Sequence, residues 1–427
     1  MTVIDADGLD EDSAAGHVHG ICLKTGPPRR VGVELEWLVR DARDPALPLT
    51  AGRIAAAAAA FGAAHGDLTG LPTSSRPGIL PSGALLTTEP GGQLEISSQP
   101  ADSLTDLVRA TSADITALRA AVADVGLELA GIGLDPLRSP RRVLDHPRYA
   151  AMEGFFDRDG PWGRRMMCTS ASVQVCVDAG DDSDGPAGYR QRWELLHAVG
   201  PVLVAAFANS PLREGKPTGW MSSRQQVWAQ MDPGRTRAPG SDRDPRTAWA
   251  AYALDARLMC VRDPDSADWS APSGLTFREW VSGGTALRRP TTADLEYHLS
   301  TLFPPVRPRG HFELRMIDAQ PGDGWVVPLA VCSALLSDTA AGEAALAAVA
   351  PLWNSGSNGD GPWLRAARYG PADPAISRAS RECFAIATAA LDRMSVPSAI
   401  TGAVDDFIAQ YVSKDRCPAD DLLEDLP

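Results

Sequence analysis

Lysine is almost missing from this chain. Its 427 residues contain only Lys24, Lys216 and Lys414, so nearly every cation is an arginine. No Gly-x-x-x-x-Gly-Lys stretch occurs and no Gly-x-Gly-x-x-Gly opens a βαβ unit. A nucleotide, if one binds, is therefore held through metal ions and arginine rather than by a P-loop or a dinucleotide fold. A basic excess is lacking too: the formal charge of -14 leaves nothing to neutralise a phosphate backbone, which excludes nucleic acid as a general partner. The seven cysteines are odd in number and widely separated, with no Cys-x-x-Cys, so a disulfide scaffold and a structural zinc site are both poor readings. No histidine pair has metal-ligand spacing, and no Gly-x-Ser-x-Gly elbow or Cys/His pair points to covalent catalysis. The start, Met1-Thr-Val-Ile-Asp-Ala-Asp, lacks the basic-then-apolar order of a signal peptide, and no apolar run reaches the ~20 residues that span a bilayer. The expected setting is a reducing cytoplasm, away from membranes.

What the chain does have is glutamate on short alternating segments. Val31-Gly-Val-Glu-Leu-Glu-Trp-Leu-Val39, Glu89-Pro-Gly-Gly-Gln-Leu-Glu-Ile-Ser97, Ser172-Val-Gln-Val-Cys-Val-Asp178 and His311-Phe-Glu-Leu-Arg-Met-Ile317 each read as a strand with one apolar face. The other face carries Glu34 with Glu36, Gln93 with Glu95, Ser172 with Gln174, and Glu313 with Arg315. If the four strands neighbour one another, several carboxylates converge, and their repulsion calls for cations. Magnesium prefers carboxylate oxygens and shares itself with substrate phosphates, so Glu34, Glu36, Glu89, Glu95 and Glu313 are candidate metal ligands. The alternative is an antiparallel sheet with one wet face and no function. Arg315 is either an ion-pair partner or the fork that holds a substrate carboxylate. Arg224 and Arg235 suit phosphate charge, and the Gly91-Gly92 pair before Gln93 allows either close approach to a ligand or an ordinary tight turn.

Residues 1–20 read as a mobile acidic lead, 21–413 as one catalytic domain and 414–427 as an acidic tail. Alanine-rich 52–61, the three-and-four spacing of 103–125, and the stretches 327–336 and 374–394 predict helices. The run 232–245, rich in Asp, Pro, Gly and Arg, predicts a long surface loop, and loops of that kind serve as lids. Helices and strands mix without regular βα alternation, which favours an α+β fold.

The segments Val31 to Trp37 and Thr88 to Ser97, with Met166-Met-Cys-Thr-Ser-Ala-Ser-Val-Gln-Val, Phe207-Ala-Asn-Ser-Pro, Tyr297-His-Leu-Ser-Thr-Leu-Phe-Pro-Pro-Val-Arg and Phe312-Glu-Leu-Arg, together resemble the glutamate-cysteine ligases. The resemblance is to the plant-type branch and its actinobacterial relatives that make γ-glutamylcysteine for ergothioneine synthesis. It implies a glutamine-synthetase-like fold, a bent antiparallel sheet forming a funnel with helices packed outside. It implies ATP and Mg2+, with L-glutamate and L-cysteine as substrates and no obligate protein partner. By position, Glu34, Glu36, Glu89, Glu95 and Glu313 look like metal ligands, and Gln174 stands where the enterobacterial branch has a metal-binding histidine. Arg315 is similar to the arginine that receives substrate glutamate, and Arg235 to one that approaches the transferred phosphate. Arg315, Arg235 and Glu36 are thus the catalytic candidates, Arg224, Arg235 and Gln93 the nucleotide contacts, and Met166, Thr169, Trp220 and Tyr252 the amino-acid pocket candidates. A carboxylate-amine ligase with another acceptor and a magnesium-dependent phosphohydrolase remain the alternatives.

Overall fold

In the strand Val31–Asp41, alternation buries Val31, Val33, Leu35 and Trp37 and leaves Glu34 and Glu36 half-buried on the other face. This strand, β1, is the axis of the molecule. In the computed structural model, which describes residues 9–65, 76–240, 243–354 and 361–426, it is joined by β2 (Gly78–Ile79), β3 (Leu85–Thr88), β4 (Leu94–Ser97), β5 (Leu127–Ala130) and β6 (Ser172–Val177). A separate hairpin pairs β7 (Leu212–Arg213) with β8 (Lys216–Pro217), and β9 (Val306–Pro308) and β10 (Phe312–Asp318) complete the set. The main sheet has eight strands in the order β2-β3-β4-β1-β6-β10-β9, all antiparallel, with β5 on the far end of β1. It is open rather than closed into a barrel. The first part of β1 pairs with β4 and β6, and its end, Leu38 to Asp41, pairs with β5. One strand therefore serves two sheet directions, as the expected α+β fold with a bent antiparallel sheet requires.

The apolar face is covered by helices whose own apolar stripes match it. Leu104–Asp124, capped by the Ser103 hydroxyl, packs on β1 and β5; Tyr189–Ala206 packs on β10; Val326–Ser337, apolar almost all round, packs on β6. Thr339–Asn354, Pro374–Arg393 and Ser398–Gln410 lie behind them. The opposite face of the central strands is left open, and it is the face that carries the glutamates.

Three expectations need correction. The lead is not mobile throughout: Asp10 caps a helix, Glu11–Cys22, that buries Ala14, Val18 and Cys22, while 1–8 lie outside the described residues. The tail likewise forms a helix, Pro418–Glu424, anchored by fully buried Cys417 and Ala419. The long loop of 232–245 is mostly structured. Asp232 caps Pro233–Thr236 and Asp244 caps Pro245–Asp255, so the two Asp-Pro pairs are helix starts, with Pro in the first turn where its missing N–H costs nothing. Of this run, 237–240 and 243–244 are irregular, while 241–242 lie outside the described residues, as do 71–75 of the proline- and serine-rich stretch before β3.

The Gly91-Gly92 pair is a tight turn. Gly92 has φ of 91° and donates its N–H to Glu89, and a Cβ on Gly91 would stand 2.2 Å from the carbonyl oxygen of Cys168. The close approach is to the protein's own backbone, and it fixes Glu89 and Glu95 at the two ends of one hairpin. Gly91→Ala should lower stability by about 1–3 kcal/mol through this overpacking, read as an earlier midpoint in denaturant unfolding; an unchanged midpoint would mean that the turn is free to shift.

Candidate active site

Cross-strand register brings the glutamate-bearing strands together. Glu36 lies opposite Glu95 across β1 and β4, Glu34 opposite Gln174 across β1 and β6, and Glu313 opposite Cys176 on one side and Arg307 on the other. The four segments read from alternation are thus consecutive neighbours in one sheet, with their polar faces forming a shared cup. Ser172 donates to Glu36 at 2.9 Å and Gln174 Nε2 donates to its other oxygen at 3.0 Å. Arg315 reaches both Gln174 Oε1 and Glu313 through one nitrogen. A bulge between Leu314 and Ile317 keeps Arg315 over the cup although the simple alternation breaks there. Thr87 donates to Glu95 at 3.0 Å.

Charge in this cup is unevenly balanced. Glu313 has no exposed surface, and burial works against its charge, yet Arg307, Arg315 and Arg309 together hold it well below the usual carboxylate range. Arg307 does most of this, through bonds of 2.7 and 3.0 Å to the two carboxylate oxygens. The other glutamates lack such partners. Burial, then the fields of Glu313 and Glu95, pushes Glu34 up to about 8, and burial with Glu36 pushes Glu95 up to about 7. Glu36 is raised by burial despite Arg224 and Arg315, and Glu89 is raised far more by burial and by Glu95. Each of these four side chains keeps part of its surface open to the cup while being enclosed by protein on its other sides. Among the described residues no three His, Cys, Asp or Glu side chains already converge as a metal-binding group.

The remaining candidates divide. Arg224 is 2% exposed and stands between Glu36 and Asp318, with Nη2 bonded to the Arg315 carbonyl at 2.8 Å and with Nε and Nη1 buried and unpartnered. Arg235 is wholly buried, not on a loop. It donates to Thr301 and to the Arg257 carbonyl and lies over Phe155, while its buried Nε has no hydrogen-bond partner and stands 3.6 Å from Asp232. Gln93 is committed, its amide N–H groups going to the carbonyls of Met167 and Ser170, which ties the hairpin to helix Trp162–Thr169. Gln174 accepts from Arg315 through its oxygen and donates to Glu36 through its nitrogen, bridging the two. Met166 sits in a second apolar cluster with Tyr149 and Phe155, Thr169 bonds back to Arg165, Trp220 lies against Arg368, and Tyr252 stacks on Trp249 beside a small pocket with Gly234 and Arg243. No contact joins these four into one pocket among the described residues.

Sequence reasoning missed several residues. Arg307 ends one of the segments that carried the resemblance, but the strand around it is too short to show alternation. Arg148, bonded to Ser300 at 3.0 Å and lying over Tyr297, supplies positive field to Glu89. Asp318 lies one residue beyond the reach of the pattern. A cavity of about 440 Å³ lies elsewhere, lined by Arg30, Val31, Val177 and Arg192 on the apolar side of the sheet, and contains none of the cup glutamates.

A model of glutamate-cysteine ligase family 2 (GCS2) matches residues 30–424. The chain belongs to that family. It is 38% identical over 425 residues to the glutamate–cysteine ligase EgtA of Mycobacterium tuberculosis, covering 98% of this chain and 91% of that protein. It is similarly 38% identical over 417 residues to EgtA of Mycolicibacterium smegmatis, covering 96% and 90%. The chloroplastic glutamate–cysteine ligase of Arabidopsis thaliana matches at 30% over 244 residues, 55% of this chain and 46% of the plant protein. In three dimensions the fold is shared with the glutamate–cysteine ligase of Francisella tularensis crystallised with AMP, at a TM-score of 0.55 and 11% identity over 94% of this chain and 85% of that one. All seven cysteines are unpaired, and no single described helix is long and apolar enough to cross a membrane.

The raised glutamates give a pH signature. A carboxyl whose folded pKa exceeds the unfolded value of about 4.3 contributes stability below that value and loses it as pH rises through the folded one. With Glu95 near 7 and Glu34 near 8, the melting temperature in chelating buffer should fall from about pH 4.5 upward and level off above about pH 8. Added divalent cation should raise it more at the upper end. Equal shifts at both ends would contradict this charge assignment.

Proposed function

We propose that the protein is an ATP-dependent glutamate–cysteine ligase, forming γ-glutamylcysteine, ADP and phosphate by way of γ-glutamyl phosphate. The observation that carries this reading is the carboxylate cup bordered by Arg315, in a chain matched by the ligase family over 30–424. Bound Mg2+ would neutralise the phosphate oxygens of ATP and place them beside the reacting carboxylate. The donor chemistry fits: Glu34, Glu36, Glu89 and Glu95 are hard oxygen ligands whose burial and mutual repulsion favour a cation. Glu34, Glu36, Glu89 and Glu95 would hold such ions, which would supply positive charge to the phosphate oxygens of ATP.

Arg315 has a buried, unpartnered Nε beside its pairing with Glu313 and Gln174, and it receives a carboxylate of substrate glutamate. Arg224, not Arg235, is the arginine for the phosphate. Its free Nε and Nη1 stabilise negative charge as the γ-phosphoryl group passes to the glutamate side chain, with the ADP oxygen leaving. The cysteine amine then attacks the acyl carbon and phosphate departs with the former carboxylate oxygen. An acyl phosphate hydrolyses readily, so water must be kept out.

The relatives named EgtA support cysteine as the acceptor and ergothioneine synthesis as the use of the product, in a reducing cytoplasm where seven unpaired thiols persist. Mass detection of the product from ATP, glutamate, cysteine and Mg2+ tests the reading. Glu34→Ala and Arg315→Ala should each reduce its formation by at least about a thousandfold with the fold intact. Near-normal rates in either variant would refute the site, and ATP turnover without any amine would favour a hydrolase.

A further inference from the structure

Arg224 poses a question that its own contacts do not answer. Two of its guanidinium nitrogens are buried without acceptors, a state that is costly unless an acceptor arrives. Something must hold the group in place meanwhile. Asp318 Oδ1 stands 3.7 Å behind Nη1, too far for a hydrogen bond but close enough for charge. The two oxygens of Asp318 are themselves fixed, accepting from the Asn209 backbone N–H at 2.9 Å, the Ser210 hydroxyl at 2.7 Å and the Ser222 hydroxyl at 3.0 Å.

Those serines in turn hold the segment that bears the arginine. Ser210 Oγ accepts the backbone N–H of Arg224 at 3.1 Å, and Ser222 caps helix Ser223–Ala229 by accepting from Gln225 at 3.2 Å. Gln225 then donates to the Met316 carbonyl at 2.9 Å while Arg224 donates to that of Arg315, so the helix grips both bulged residues of β10. The whole assembly is fully buried: Ser210, Ser222, Arg224 and Asp318 each expose 2% or less. Both carboxylate oxygens accept, Oδ2 from Asn209 and Ser210 and Oδ1 from Ser222, so an asparagine with its single acceptor oxygen keeps the size of residue 318 but loses one side of this network.

We propose that Asp318 is a positioning residue for the ligase reaction: through Ser210 and Ser222 it fixes the first turn of helix Ser223–Ala229, and so holds the two free N–H groups of Arg224 toward the incoming nucleotide phosphate. The inference rests on the assignment of Arg224 to that phosphate. It makes the segment around Asn209-Ser210-Pro211 and Ser222 part of the nucleotide site without any of those residues touching ligand.

A double-mutant cycle separates this from a purely structural role. Binding of a non-hydrolysable ATP analogue with Mg2+ is measured by calorimetry on wild type, Asp318→Asn, Arg224→Ala and the pair, with thermal unfolding run alongside. Asp318→Asn should weaken the analogue about tenfold, and Arg224→Ala by more. In the Arg224→Ala background the second change should cost nothing further. If Asp318→Asn does not fold, Ser222→Ala replaces it in the same cycle. Analogue binding as tight as wild type in the residue-318 or Ser222 variant, or an additive loss in the pair, overturns the inference and leaves the phosphate assignment standing. An Arg224→Ala protein that binds the analogue normally overturns the phosphate assignment itself.

Discussion

The buried charge of Glu313 is the constraint on which the rest of the site depends. It has no exposed surface, and its charge is held because Arg307 meets it head-on across β9 and β10 while Arg315 approaches from its own strand and Arg309 from the turn before it. Removing one partner of such a pair leaves a buried charge uncompensated, a cost of about 3–5 kcal/mol. The arrangement takes up the cup's strongest arginine contacts on one carboxylate. Glu34, Glu36, Glu89 and Glu95 are consequently left without comparable partners, and burial and mutual repulsion raise their carboxyls.

Arginine is suited to this in a way lysine is not. Arg307 binds both oxygens of Glu313 at once, and Arg315 spans Gln174 and Glu313 while keeping a nitrogen free. Arg224 fastens the backbone of the bulge with one nitrogen and offers two others. A planar fork with several fixed donors can bind the protein and a ligand simultaneously; an ammonium point charge would have to choose. The near absence of lysine thus matches the architecture of the site, whatever its origin.

How much of this was legible in the chain follows from periodicity. The glutamates on β1, β4 and β10 could be read because a strand repeats every two residues, and the register then placed them in one cup. Arg307 could not, since Val306–Pro308 is too short to alternate and ends in proline. Asp318 follows a bulge, where counting by two fails. The helices begun at Asp232-Pro and Asp244-Pro hid because such pairs look like loop punctuation, and the lead helix hid because Ala14, Val18 and Cys22 are a faint apolar stripe. The amino-acid pocket residues Met166, Thr169, Trp220 and Tyr252 rest on resemblance alone; Met166 and Thr169 share the helix Trp162–Thr169.

The central claim is that the cup activates a carboxylate of glutamate by phosphorylation before the amine attacks. Its most direct test supplies glutamate labelled with heavy oxygen in the γ-carboxylate, together with ATP, Mg2+ and cysteine, and weighs the phosphate released. One labelled oxygen should move into phosphate for every γ-glutamylcysteine formed. Phosphate that carries no label while the dipeptide accumulates would contradict the account.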